Sequence, residues 1–510
     1  MPVAAGSAGL STGPEEELAP AGLGLRPDPR SRLLAGGTVL VGGSPVRVLR
    51  LTPAGARQVA SWWSGTPVPD SPRARALARR LLDTGIAHPV LAGGALGPGD
   101  VTVVIPVRDR EAELTRCLAG LSGAQGGIPR VIVVDDGSCD PAAIARVASG
   151  AGARVLHREV NGGPAAARNT GLAAADTPLV AFLDSDCVPG PGWLDALLPH
   201  FADPAVGAVA PRIVPDELGS TWLARYEGAS STLDMGARAS IVRPGSRVPY
   251  VPGAALVVRR AAAQTGFAET MRVGEDVDFV WRLAASGWRV RYEPAAAMRH
   301  RHRVGLPEWF ARRKDYGTSA AILGQRHPGT VRPLYLSAWT ALAWLAAAAG
   351  HPATGAACTG AGIALLARRL ARVTGEDWPG PAARTAWPLA ALLAGGGTLA
   401  AGRPLGSAIS RTWWPVALPA ALAVRRMRWP LAALVITPPL LDWLDRRPPL
   451  DPARYVAARL LDDLGYSLGV WQGCAGRRTI RPLLPWLGNR HLDTPRAKSA
   501  GTMMSSADRS

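Results

Sequence analysis

Between Val101 and Asp186 the chain alternates four times between a short apolar run and a stretch patterned like a helix. The runs are VTVVIPV from Val101, RVIVVDD from Arg130, ARVLHR from Ala153 and LVAFL from Leu179. Between them Leu114, Leu118 and Leu121 recur at helical spacing, Asp140-Pro141 reads as a helix start, and NGGPAAARNTGLAAA is a Gly-rich turn running into a helix. Consecutive strands separated by helices lie parallel, and the helices cover both faces. The fold class expected here is α/β, a doubly wound and mostly parallel sheet.

Ligands of such sheets bind at the carboxyl ends of the strands. Asp135 and Asp136 end the second strand, and Asp184-Ser185-Asp186 ends the fourth, so these acids should converge on one crevice. Unpaired carboxylates are too costly to bury. A hard divalent ion, Mg²⁺ or Mn²⁺, satisfies Asp184 and Asp186 and usually keeps a phosphate as a further ligand. A solvated acidic turn is the competing reading of the triplet alone. Asp136 either accepts turn N–H bonds or reads a uracil N3–H. Arg168 is either a surface charge or a fork for a diphosphate.

Further on, Gly274-Glu275-Asp276 opens a helix whose inner face is Val277, Val280, Trp281 and Ala284. Acids there are ordinarily caps favoured by the helix dipole. Met298-Arg299-His300-Arg301-His302 follows a strand. A His in a basic loop is usually only polar, but one downstream of Asp-x-Asp can complete a metal site.

With 510 residues there is room for two or three domains. The net charge of +18 fits an anionic membrane or phosphorylated substrates better than nucleic acid, since zinc-finger spacing and basic-aromatic RNA signatures are missing. Cys117, Cys139, Cys187, Cys358 and Cys474 form no CxxC pair, which suits a reducing compartment. Residues 1–25 and 493–510 read as disordered, without the pattern of a signal peptide at the start.

Residues 26–92 form a small winged-helix-like α+β pattern. GGTVLVGGSPVRVLRL gives two short strands, Thr52-Pro53 starts a helix, and a second helix with Leu77, Leu81 and Leu82 inward ends at Gly85. The pattern resembles the leader-peptide recognition domains of ribosomal-peptide modification systems, which add a peptide to a strand edge. The alternative is a structural cap on the next domain.

From 333 to 445 the composition shifts to apolar stretches: Leu334–Gly350, Ala353–Ala367, Ala386–Ala401, Trp413–Val424 and Trp429–Trp443. Flanking Trp and Arg suggest a helical membrane region with four spans or one re-entrant segment. Arg368, Arg369, Arg372, Arg425, Arg426 and Arg428 then orient the catalytic domain to the cytoplasm of a multi-pass protein. Residues 446–492 read as amphipathic interfacial helices, lying against the membrane surface or the catalytic domain. Buried helices away from a bilayer are the alternative.

VTVVIPVRDR, VIVVDDGS, NGGPAAARNTG, LDSD, VGEDVDFVWRL and RHRH, in that order, resemble the family-2 glycosyltransferases of the GT-A fold. The resemblance covers about Val101 to Arg303, and the domain is expected at 100–328. With GGSPVRVLRLTPAG and RLLDTGIAHP, the chain is similar to the glycosyltransferases of mycofactocin biosynthesis systems, which add glucose to a peptide-derived redox cofactor. The resemblance implies an inverting enzyme with UDP-glucose as donor. Asp184, Asp186 and His300 would hold the metal. Pro106, Arg108, Asp136, Arg168 and Asp184 would hold the nucleotide, and Asp276 would be the base, with Glu275 as its substitute. The expected acceptor is the peptide-derived precursor or its processed cofactor, with elongation to an oligosaccharide open. A membrane polysaccharide synthase is one alternative, although only Gln325-Arg326-His327 stands where Gln-x-x-Arg-Trp is usual. A non-catalytic peptide-binding scaffold is the other.

Overall fold

The computed structural model describes residues 18–91, 93–122, 129–216, 219–301, 305–374 and 385–488. Strand β1 (Gly24–Pro27) pairs antiparallel with β5 (Ala87–Val90). Strands β2 (Arg32–Leu34), β3 (Val39–Gly42) and β4 (Arg47–Arg50) form an antiparallel sheet with β3 in the middle. Helix α1 (Pro53–Trp63) starts where the Gly55 N–H donates to Thr52 Oγ1. Helix α2 (Pro72–Thr84) stops at Gly85, whose φ of 69° lies in the left-handed region. Leu40, Val59, Trp62 and Leu81 make the core of this unit. The expectation of disorder up to residue 25 fails from the first described residues, because Ala19 is fully buried and its N–H donates to the Arg75 carbonyl. Residues 1–17 lie outside the described chain, as do His302 and the tail from 489.

The central sheet contains β6 (Val101–Val107), β7 (Arg130–Asp136), β8 (Arg154–Arg158), β9 (Leu179–Leu183), β10 (Cys187–Pro189), β11 (Val206–Pro215), β12 (Ser240–Val242), β13 (Ala255–Arg259) and β14 (Arg289–His300). Its order is β10-β14-β11-β13-β9-β6-β7-β8, with β12 also on β14. The run β8-β7-β6-β9 is parallel, joined by α3 (Glu111–Ser122), α4 (Pro141–Gly150) and α5 (Pro164–Ala174). The remainder is mixed, so the sheet is less parallel than expected: β13 runs antiparallel to both β9 and β11.

Apolar side chains cover both faces. Val103, Ile105, Leu114 and Leu118 pack on one with Trp193 of the short helix α6 (Trp193–Leu197). Val104, Phe182, Phe267 and Phe279 pack on the other. The strand order reverses between β6 and β9, where a doubly wound sheet opens its crevice.

The C-terminal third departs from the membrane reading. Among the described residues no helix is long and apolar enough to cross a membrane, which overturns the spanning region and the multi-pass placement. The stretches break into pieces. Following α7 (Trp222–Ser230), α8 (Glu275–Ala285) and α9 (Leu306–Arg326), helix α10 covers only Ala338–Ala348, about 16 Å against a bilayer core of about 30 Å. Helix α11 (Pro352–Thr374) carries Arg368, Arg369 and Arg372. Short helical turns occupy 386–423, and α12 (Arg428–Arg446) contains Pro438 and Pro439.

Parts of this region pack on protein, while side chains such as Leu345, Leu422 and Trp429 stay exposed. Leu366 and Leu370 of α11, with Leu389, cover Val39 and Val41 of the N-terminal sheet. Helix α13 (Pro452–Gly476), expected against either a membrane surface or the catalytic domain, runs along α9. There the backbones touch: a Cβ on Gly469 would stand 1.9 Å from the Lys314 carbonyl oxygen, and one on Gly317 would stand 2.1 Å from that of Tyr466.

Candidate active site

The carboxyl ends of β6, β7 and β9 open on a cavity of about 1060 Å³, whose far wall comes from α9, Arg411 and α13. Of the residues expected at the site, Pro106, Arg108, Asp136, Arg168, Asp184, Asp186, Glu275, Asp276 and His300 all line it. Their partners differ in part from those the sequence suggested.

Asp136 is buried at the end of β7. It accepts hydrogen bonds from Arg158 Nε at 2.9 Å and from the N–H groups of Gly162 and Gly163 at 3.0 and 2.7 Å. The Gly162-Gly163 turn thus packs around this carboxylate. Arg168, on α5, is buried between two acids rather than free for a diphosphate. Its Nη2 donates to Asp184 at 2.7 Å and its Nη1 to Glu275 at 2.9 Å. Burial works against its charge, yet Asp184, Glu275 and Asp276 together hold its pKa above the usual value. A guanidinium set among carboxylates this way is fixed before any ligand arrives. Arg108 is half-exposed beside Asp109.

Asp184 and Asp186 point to different neighbours. Burial pushes the Asp184 carboxyl upward, with Arg168 opposing and the Asp186 charge assisting. Burial acts on Asp186 too, but His300 and Arg110 outweigh it and hold that carboxyl down to about 2. Asp186 Oδ1 is buried without a hydrogen bond, 3.4 Å from His300 Nε2. β10 pairs with the end of β14, which brings His300 opposite Cys187 and so next to Asp186. The ligand atoms of Asp186, Cys187 and His300 lie within 4.8 Å of one another. Burial keeps the Cys187 thiol protonated, and a neutral soft thiol suits a hard ion poorly. An orphaned carboxylate oxygen beside an imidazole does fit Mg²⁺ or Mn²⁺. Asp184 stays with Arg168.

Glu275 and Asp276 begin α8 after Gly274 in the left-handed region. Glu275 is buried, and burial together with the Asp276 charge pushes its carboxyl up to about 7 against the pull of Arg168. Asp276 is less buried and held by backbone, accepting the Gly253 N–H at 2.8 Å and the Val277 N–H at 2.8 Å. One turn on, fully buried Asp278 binds Arg282 and Arg326 and lies 2.8 Å from His327, tying α8 to the end of α9. The departure at Gln325-Arg326-His327 therefore has a structural use.

Sequence reasoning missed the opposite wall. Arg110 was within reach, two residues beyond Arg108. Tyr250, Tyr316, Arg411 and Tyr466 carried no local signal: Tyr316 and Tyr466 meet through the packing of α13 on α9, and Tyr250 and Arg411 join them from two other segments of the chain.

A sheet with charged strand ends around one crevice, and an acid at a facing helix start, is the architecture of a nucleotide-dependent group-transfer enzyme. The family model described as Glycosyl transferase family 2 matches residues 102–267. The pre-mycofactocin glycosyltransferase of Mycobacterium tuberculosis is 43% identical over 483 residues, covering 91% of this chain and 98% of its own length. The chain therefore belongs to the family-2 glycosyltransferases, among the pre-mycofactocin glycosyltransferases. The succinoglycan biosynthesis protein ExoU of Rhizobium meliloti is 32% identical over 218 residues, covering 39% of this chain and 60% of its own. A solved mannosyltransferase from Pyrobaculum calidifontis, in complex with GDP-Man and Mn²⁺, overlaps 70% of this chain and 90% of its own at 20% identity and a TM-score of 0.36. A score that low decides nothing.

Proposed function

We propose that the chain transfers a sugar, glucose in the first instance, from a nucleotide-diphosphate donor such as UDP-glucose to a peptide-derived redox-cofactor precursor, with inversion at the anomeric carbon. The observation that carries this reading is the single cavity lined by the Arg168–Asp184 pair, the Asp186–His300 pair and Asp276. The match to the pre-mycofactocin enzyme along nearly its whole length supports the acceptor class.

Asp276 takes the proton of the acceptor hydroxyl as that oxygen bonds to the anomeric carbon. The bond from that carbon to the diphosphate oxygen breaks on the opposite face, and its electron pair leaves with the nucleotide. The Gly253 and Val277 N–H groups orient the Asp276 carboxylate. Glu275, committed to Arg168, acts through that arginine rather than as the base. Asp186 and His300 would hold a divalent ion, which when bound neutralises charge on the departing diphosphate. Pro106 and Arg108 wall the nucleotide beside Asp136. Mass spectrometry of pre-mycofactocin incubated with the enzyme and a panel of nucleotide sugars tests the reading. It should show addition of one or more hexose units, and an unmodified acceptor with every donor would sink it.

Residues 26–92 are proposed to brace the catalytic sheet. Arg79 forms a forked pair with Asp203, at 2.9 and 2.7 Å, and Arg289 reaches Asp83 at 3.1 Å. Arg79→Ala should cost about 3 kcal/mol, because it leaves Asp203 without its principal partner. It should lower activity on peptide-derived and simple sugar acceptors alike. A selective loss on the peptide-derived acceptor would give the unit a recognition role instead.

A further inference from the structure

Three tyrosines meet in the part of the cavity that lies across from the strand ends. Tyr250 comes from the loop before β13, Tyr316 from α9 and Tyr466 from α13. Tyr316 and Tyr466 lie outside the region matched by the family model. Each ring is partly buried, and no hydroxyl of the three makes a hydrogen bond among the described residues. The other partly or fully buried tyrosines behave differently. Tyr226 donates to Asp462, Tyr292 to the Gly236 carbonyl and Tyr335 to the Thr330 carbonyl, while Tyr455 pairs with Ser230. A phenol withdrawn from bulk water finds a partner wherever one is in reach. The hydroxyls of these three find no partner in the protein yet keep access to solvent, and since all three residues line one cavity they are available to whatever fills it.

The rings are also held in place. The Arg411 guanidinium sits 4.3 Å from the centre of the Tyr466 ring, and Asp463 fixes that arginine from behind at 3.0 Å. The Arg312 guanidinium lies 5.8 Å from the Tyr316 ring centre. Tyr316 adjoins Gly317, and the backbone contact there with Tyr466 sets the two aromatic side chains on one wall. Burial first, with help from the Asp276 charge, pushes the Tyr250 phenol up to about 12, so it stays protonated and can donate near neutral pH.

We infer that Tyr250, Tyr316 and Tyr466 form the acceptor-binding wall, gripping a ring that offers one apolar face and polar groups at its edge. This rests on the transferase reading above and adds the residues that choose the acceptor. Ring faces stack on the phenols while the three hydroxyls bond the edge groups. A second source of the same ring chemistry is a sugar already attached to the acceptor.

Calorimetry without donor, using pre-mycofactocin and octyl glucoside as separate probes, tests the assignment independently of turnover. Each of Tyr250→Phe, Tyr316→Phe and Tyr466→Phe should weaken binding of one probe roughly three- to tenfold. Tyr466→Ala should weaken it more, while in the phenylalanine variants nucleotide affinity and melting temperature stay close to wild type. Weakening confined to pre-mycofactocin identifies the ring as the acceptor's own, and weakening confined to octyl glucoside identifies it as a sugar. Unchanged affinity for both probes in all three phenylalanine variants overturns the proposal, as does wild-type protein that binds neither. Acceptor binding that depends on the tyrosines, in a protein that transfers no sugar, would remove the transferase reading and leave the binding wall standing.

Discussion

The two walls of the cavity are built on different terms. The strand-end wall is closed on itself: Arg168 is shared by Asp184 and Glu275, Asp136 is bonded by Arg158 and two glycine amides, and Asp186 sits between Arg110 and His300. The helical wall is open: its tyrosine hydroxyls have no protein partner among the described residues. A preorganised charged wall acts on charge that develops during reaction. A wall of unengaged donors acts on binding. Substitutions in the first should therefore change rate, and those in the second affinity.

The sharpest way to break that contrast is Asp276→Asn. It removes the proposed base and keeps its shape, although the single amide oxygen can accept from only one of the Gly253 and Val277 N–H groups, so kcat should fall about 10²- to 10⁴-fold. Nucleotide and acceptor affinity, read by calorimetry, should hold. A kcat within threefold of wild type would move the base elsewhere. Asp186→Asn comes next, with a loss of roughly a hundredfold in kcat/KM. Nucleotide affinity should also lose its dependence on Mn²⁺, and an unaltered metal dependence would detach the Asp186–His300 pair from the ion.

The smallest effect concerns Glu275. Its carboxyl is raised from 4.5 to about 7 in the folded chain, so the folded state holds this proton more tightly than the unfolded one. The stabilisation is fully present below pH 4.5 and is lost as pH rises through about 7. Glu275→Gln cannot titrate, so its melting temperature should decline less over that interval, by roughly 2 °C. Parallel declines in the two proteins would show that Glu275 is already ionised at low pH.

How much of this was legible in the sequence follows the same division. Asp136, Asp184 and Asp186 stand at the ends of apolar runs, and a strand end has one location in a doubly wound sheet. Which partners they take was not legible. Arg168 reaches Glu275 across 107 positions of chain, from α5 to the start of α8. The C-terminal helices misled because Ala-rich segments that are apolar on most sides have one hydropathy profile whether lipid or protein covers them. Val39 and Val41 cover α11 on one side, while Leu399 and Trp429 remain exposed. Gly469 looked like any small residue in an amphipathic helix. Its meaning lay in Lys314, far away in sequence.

The glycine seam between α9 and α13 bears on how such a chain can diversify. With backbones in contact, α13 has no room to slide, rotate or accept a replacement helix of another shape. New acceptor preferences would thus arise by point replacement at positions such as Tyr316 and Tyr466, under a fixed helix pair. Exchange of the tail as a cassette would separate those side chains from the strand ends they face. Descent from a common transferase would then leave Gly317 and Gly469 as fossils of the shared scaffold, while the aromatic residues beside them drift with the molecule being glycosylated.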